Sequence, residues 1–211
     1  MKRVLVLFVM LIIALSGVFA VSYVESSLGV GFFTSKETVH FNGQSVSGNE
    51  KTTLLSSDFT FMTFSGASKI GFDIGISILF PLSSSLSGVD VDVEFFNCNW
   101  CPRIGVAWKY EISPQLTMLS AAGYELIMNY SSAYQSGITI RSSLFVHCLY
   151  ATDRVAYKVN DDIVINAGLM ALVPVVGFQK LSATGYESER YTITYSGIMI
   201  NPFIGIDIKQ K

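Results

Sequence analysis

From Lys69 onward the chain alternates with a period of two: Ile70, Phe72, Ile74, Ile76, Ile78 and Phe80 share one parity, and Gly71, Asp73, Gly75, Ser77 and Leu79 the other. Successive side chains leave opposite faces of a β-strand, so this pattern sets an apolar face against one that accepts a carboxylate. Residues 103–112 repeat it, with Ile104, Val106, Trp108, Tyr110 and Ile112 opposing Arg103, Gly105, Ala107, Lys109 and Glu111. Strands with one greasy and one charged face, repeated behind an export signal, predict a transmembrane β-barrel.

The export signal lies at the start. Lys2 and Arg3 precede an apolar run from Val4 to Leu15, and Val18-Phe19-Ala20 places small residues for cleavage after Ala20. This pattern predicts a secretory signal peptide over 1–20 and a barrel domain over 21–211. The run is shorter than the roughly 18 apolar residues a spanning helix needs, and no later segment reaches that length. None of the three cysteines, Cys98, Cys101 and Cys148, lies near the cleavage point, which argues against a lipid anchor.

Charge is scarce: 14% of residues are charged and 50% are apolar, where a soluble domain carries about 25% charged residues. Removing Lys2 and Arg3 from 14 basic residues leaves 12 against 16 acidic ones, a formal charge of −4 without a basic cluster. Nucleic acid is therefore excluded as a partner, and no cofactor is indicated. The same scarcity weighs against the inverted alternative, a secreted soluble barrel of lipocalin type with the apolar parity turned inward around an apolar ligand.

An all-β, single antiparallel up-and-down barrel of eight strands accounts for the mature length. The strands are predicted at 23–33, 57–64, 69–81, 100–112, 116–128, 137–150, 163–176 and 191–208. Residues 34–56, 82–99, 129–136 and 177–190 read as long polar loops facing outside, and 65–68 and 113–115 as tight periplasmic turns. Residues 151–162 are too long for such a turn, which leaves open either a continuation of the sixth strand past Tyr150 or a misplaced hairpin. Pro202 falls inside the last strand, where a closed barrel has no free edge for a missing donor. An apparent parity slip between Tyr195 and Ile198 calls for a bulge at Ser196-Gly197.

The polar parity supplies an expected lumen network: Asp73, Arg103, Lys109, Glu111, Glu125, Arg141, His147 and Asp207. Both signs are present, and buried charges must pair or reach water, so a mutually neutralising plug is expected in a barrel this narrow. Trp100 and Tyr110 share the outward parity ten residues apart. At about 3.3 Å per residue and a tilt near 40° this is roughly 25 Å along the membrane normal, so Trp100 marks one aromatic girdle and Trp108 with Tyr110 the other.

On these features the chain resembles the small eight-stranded outer-membrane barrels of the OmpA, OmpX and OmpW type. The resemblance rests on the signal, the alternation, segments such as Gly71-Phe72-Asp73-Ile74-Gly75-Ile76 and Phe203-Ile204-Gly205-Ile206-Asp207-Ile208, and the loop-length asymmetry. It departs from that pattern at its end, Ile208-Lys209-Gln210-Lys211, which lacks a terminal aromatic residue. The resemblance implies outer-membrane placement with a lipid bilayer as partner. It leaves two roles open: a structural or adhesin-like barrel whose surface-exposed loops contact a host or envelope ligand, and a narrow channel for small or hydrophobic solutes.

Four smaller signals remain. Cys98-Asn99-Trp100-Cys101-Pro102 has redox or metal spacing but lacks a second ligand pair, so in an oxidising compartment a local Cys98–Cys101 disulfide is expected, with free thiols as the alternative. Cys148 is read as an unpaired, lipid-facing residue. Asp90, Asp92 and Glu94 alternate with valines and form a weak candidate for a hard cation. His40 and His147 occur singly, and no triad spacing accompanies them, so a lipid-modifying enzyme is not expected.

Overall fold

A computed structural model describes residues 21–65, 68–91, 97–135, 138–183, 185 and 188–210. The expected signal peptide lies outside them. Nine strands follow in order: β1 (Val21–Phe41), β2 (Gln44–Phe64), β3 (Ile70–Leu86), β4 (Val89–Val91), β5 (Asn99–Glu111), β6 (Leu116–Gln135), β7 (Ile138–Lys158), β8 (Ile163–Ala183) and β9 (Glu189–Gln210). Each main strand pairs antiparallel with its sequence neighbour, and β9 returns to β1, so eight strands close a ring. The three-residue β4 folds back on the end of β3, outside the ring.

The register fixes the barrel's shape. Directly paired residues lead from Tyr23 through Met62, Asp73, Gly105, Gly123, Tyr150, Leu172 and Met199 and back to β1 at Phe33. The circuit returns ten residues higher on its starting strand, a stagger that tilts eight strands by about 40°. At that tilt the 21 residues of β1 rise roughly 50 Å, about twice the height of an apolar membrane band. The excess stands on one side. Outward positions on β1 are apolar through Leu28, Val30 and Phe32 and then polar at Thr34, Lys36 and Thr38.

The expected loop over 34–56 is therefore strand, closed by a two-residue turn at Asn42-Gly43 with φ of 48° and 77°. Both residues occupy the left-handed region that a tight hairpin requires and that Asn-Gly supplies. Beyond the apolar band both faces of the hairpin are mostly polar, so period-two contrast vanishes while the strand continues. Strand β7 likewise runs on to Lys158, confirming the continuation past Tyr150. Its turn is held by the Asn160 side chain, which accepts from the backbone N–H groups of Asp162 and Ile163 at 2.9 and 2.8 Å.

Each of the four prolines within strands sits at a break in a ladder. Pro202 falls where β1–β9 pairing skips from Gly29↔Phe203 to Phe32↔Ile200, and Pro102 where β5–β6 skips from Trp100↔Met128 to Arg103↔Glu125. Pro81 adjoins the β2–β3 register shift and Pro174 the shift in β7–β8. A missing donor thus costs no ladder bond. The parity slip read near Ser196 is absent. Tyr195 points inward and Ile198 outward in unbroken alternation, and the irregularity is confined to the β8–β9 pairing between Leu172 and Val176.

Candidate functional site

The lumen carries the chemistry, and Arg103 on β5 is its centre. Its Nη1 lies 3.4 Å from Asp58 Oδ1 and donates to Ser77 Oγ at 3.2 Å, its Nη2 donates to Thr60 Oγ1, and its Nε is 3.5 Å from Asp73 Oδ2. Tyr150 holds Asp73 from the far wall: its hydroxyl donates to Asp73 Oδ2 at 2.5 Å, and its ring centroid is 5.6 Å from the guanidinium. Glu125, opposite Arg103 in the β5–β6 ladder, is fully buried, and neither carboxylate oxygen has a hydrogen-bond partner among the described residues. One guanidinium thus faces three carboxylates from β2, β3 and β6.

A second layer lies nearer the end closed by the short turns at Ser65–Ser68 and Ser113–Leu116. Arg154 on β7 pairs with Glu25 on β1, and Asn166 on β8 donates to the same carboxylate at 3.3 Å. The Arg154 guanidinium stacks 5.6 Å from the Phe203 ring. Asp207, opposite Glu25 in the β1–β9 ladder, is fully buried beside this pair. At the mouth Lys109 Nζ sits 3.4 Å from Glu111 and 5.5 Å from the Phe64 ring.

Toward the outside the lumen changes character. Asn201 and Ser56 bond each other at 2.9 Å across the barrel wall, and above them Leu79, Cys101, Cys148, Leu172 and Met199 form a fully buried apolar layer. Above this layer lies a cavity of about 120 Å³ lined by Phe33, Ile127, Leu144, Val146 and Tyr195, with Glu37 and Glu50 at its mouth. Thr52 Oγ1 donates to Glu50 Oε1 at 2.7 Å. Burial first, and then the hydrogen bond and charge of Glu50, push the Glu37 carboxyl up to about 8.

Of the residues expected in the lumen, Asp73, Arg103, Glu125 and Asp207 are buried inside, and Lys109 and Glu111 pair at the mouth on the short-turn side. Arg141 and His147 are not there. On β7 the inward residues are Val146, Cys148, Tyr150, Thr152 and Arg154, so His147 and Arg141 face out, and the expected lipid-facing Cys148 faces in. Between Leu144 and Leu149 both faces of β7 are apolar, which removed the contrast that assigns parity. His147 instead accepts or donates at 2.5 Å to the Tyr124 hydroxyl and packs edge-on to Phe178 on the outer wall. Glu25, Asp58, Arg154 and Asn166 were missed. Asp58 had a legible signal, alternating with Phe59 and Phe61.

Cys98 and Cys101 are both free thiols, correcting the expected disulfide. Residues i and i+3 of extended chain lie roughly 10 Å apart on opposite faces, beyond the reach of a disulfide. Trp100, Trp108 and Tyr110 all point outward from β5, 43–60% exposed. Asp90 is exposed on β4, and Asp92 and Glu94 lie outside the described residues. Among the described residues no three His, Cys, Asp or Glu side chains are placed to hold a metal ion.

No protein-family model matches the chain, and no curated protein matches it. Solved structures do. The outer membrane protease OmpT from Escherichia coli superposes with a TM-score of 0.51 at 10% identity, covering 90% of this chain and 96% of that one. A major outer membrane protein from Thermus thermophilus gives 0.52 at 10% identity, covering 90% and 100%. With the closed ring and the outward apolar band, this likeness shows the fold: the chain is a small eight-stranded antiparallel β-barrel of the kind seen in these outer-membrane proteins.

Proposed function

We propose that this barrel is a closed, non-conducting scaffold that carries its long hairpins clear of the outer membrane for contact with a surface ligand. The observation that carries the reading is the lower lumen, where the side chains of Arg103, Asp58, Arg154 and Glu25 are no more than 4% exposed. A path for ions through these layers would have to separate both desolvated ion pairs, each strongly coupled in a low-dielectric interior. The outward aromatics Trp100, Trp108 and Tyr110 fit the two girdles of such a barrel, and the outward cations Lys36, Lys51, Arg141 and Lys180 stand above the apolar band where they meet headgroups and water.

The projecting β1–β2 hairpin supports the contact role, presenting Val46 at 72% exposure near its tip. A catalytic role finds no support in the histidines. His147 is on the outer wall, and both His40 nitrogens are engaged by hydroxyls, Ser45 at 2.8 Å and Thr194 at 3.1 Å, without an orienting carboxylate. Single-channel recording in a planar bilayer tests the scaffold. The refolded chain is expected to be almost silent, and a stable open conductance in the parent protein would sink the closed reading.

A further inference from the structure

The lumen is closed below and open above, and its upper half is shaped differently from a mere vestibule. We propose that the upper lumen is a binding cup for a small organic cation, with the apolar body seated against Phe33, Leu54, Leu144 and Val146 and the cationic head held at the mouth by Glu37 and Glu50.

Size and lining suit such a body. The cavity holds about 120 Å³, somewhat less than the cavity of about 150 Å³ that accepts benzene, so a single ring would fill it and the charged head would extend to the mouth. Ligand sites of this kind are mostly apolar, with a few convergent polar groups that fix orientation. Here those groups are two carboxylates on adjacent strands. In the β1–β2 ladder Glu37 stands opposite Gly48 and Glu50 opposite Ser35, so both side chains enter the same mouth from neighbouring walls.

Charge decides the class of ligand. Lys36 and Lys51, the sequence neighbours of the two glutamates, leave by the outward face, and among the described residues no basic side chain lies within salt-bridge distance of either carboxylate. The Glu37 carboxyl and Glu50 are bonded to each other through a shared proton, and a bound ammonium or guanidinium group can take the place of that proton between the two side chains. An anion is repelled, and a neutral body of the same shape gains only the apolar contact. The buried layer of Leu79, Cys101, Cys148, Leu172 and Met199 closes the floor, so the ligand is held and not passed.

The test is calorimetric titration of benzylammonium chloride into the refolded barrel in maltoside micelles, against benzyl alcohol, benzoate and protein-free micelles. Saturable binding of the ammonium is expected, with the alcohol about tenfold weaker, as a charge-assisted hydrogen bond is worth at least that factor. Benzoate should not bind. A Glu37→Gln/Glu50→Gln variant should lose the preference for the ammonium and keep the weak binding of the alcohol. Ile127→Trp, which fills the cavity from β6, should abolish both while the heat-dependent gel shift of the folded barrel persists. Equal affinities for ammonium and alcohol, an undiminished ammonium affinity in the double variant, or no saturable binding above the micelle control would each overturn the proposal. Conductance reads the lower lumen and this titration the upper, so either can fail alone.

Discussion

The two halves of the lumen solve the same packing problem with opposite chemistry. Below Asn201 the interior is filled by two guanidinium groups clamped among carboxylates, hydroxyls and rings. Above it the walls turn apolar, the filling stops, and a cavity opens to the outside. The contrast follows from what each half must resist. In the lower half, polar groups on several strands bridge the walls of the ring, and this is the half that the proposed closed scaffold relies on. In the protruding half the sheet is already solvated outside, and the interior is free to be a receptacle.

The largest effects should come from breaking the lower network. Replacing Arg103 with Met leaves Asp58, Asp73 and Glu125 without their shared cation, and loss of one partner of a buried pair costs about 3–5 kcal/mol. The temperature at which the compact gel band converts to the unfolded one should fall steeply, and conductance noise should appear in any barrel that still folds. Arg154→Met should act similarly through Glu25 and Asp207. Arg103→Lys sharpens the point: it keeps the charge but cannot serve Asp58, Thr60, Ser77 and Asp73 at once, so it should recover only a fraction of the loss. By contrast Ile127→Trp in the cup should leave the melting temperature almost unchanged. Equal losses for the two sites would erase the distinction drawn between the halves.

A smaller effect concerns how closely the walls approach in the lower half. A Cβ on Gly105 would collide with the Tyr150 hydroxyl and the Ala122 carbonyl. Gly105→Ala should therefore displace the hydroxyl that holds Asp73 and cost about 1–3 kcal/mol, the usual range for overpacking. At Gly31, in the upper half, the nearest atoms to a new Cβ are Met199 Sδ at 3.4 Å and Cγ at 3.6 Å, a flexible side chain at ordinary contact distance. Gly31→Ala should be tolerated, and denaturant titration of the two variants side by side checks the difference.

How much of this was legible beforehand depended on contrast between the two faces. Asp73, Arg103, Glu125 and Asp207 were readable because each interrupts a face opposed by Ile, Phe or Val in a long, clean alternation. Arg154 was lost with the second half of β7, since Ala151, Thr152 and Asp153 carry no apolar stripe to extend the strand. His147 was placed inside because its strand is greasy on both faces at that height. The cup was invisible for a related reason: Glu37 and Glu50 lie in a hairpin whose two polar faces read as a loop. The disulfide failed on geometry, since β5 begins at Asn99 and in extended chain an odd spacing points the two side chains to opposite faces.

The smallest expected effect, and the one that isolates the cup, is its pH dependence. The groups facing Glu37 are Glu50 on β2 and Tyr195, its direct partner on β9. With the Glu37 carboxyl raised to about 8 from an ordinary 4.5, the folded barrel binds a proton that the unfolded chain has released anywhere between those values. Stability contributed here is therefore complete below about pH 4.5 and is lost as pH rises through 8. The site is partly solvated, so the change should not exceed about 1 kcal/mol. Glu37→Gln should flatten it, making the variant more stable than the parent at high pH and no better at low pH. Ligand binding should run the other way, because deprotonation at Glu37 adds a negative charge beside the cation. The affinity of benzyltrimethylammonium, which does not titrate, should rise across the same interval in the parent and stay level in Glu37→Gln. A parent affinity that is flat with pH would place the cation elsewhere than between Glu37 and Glu50.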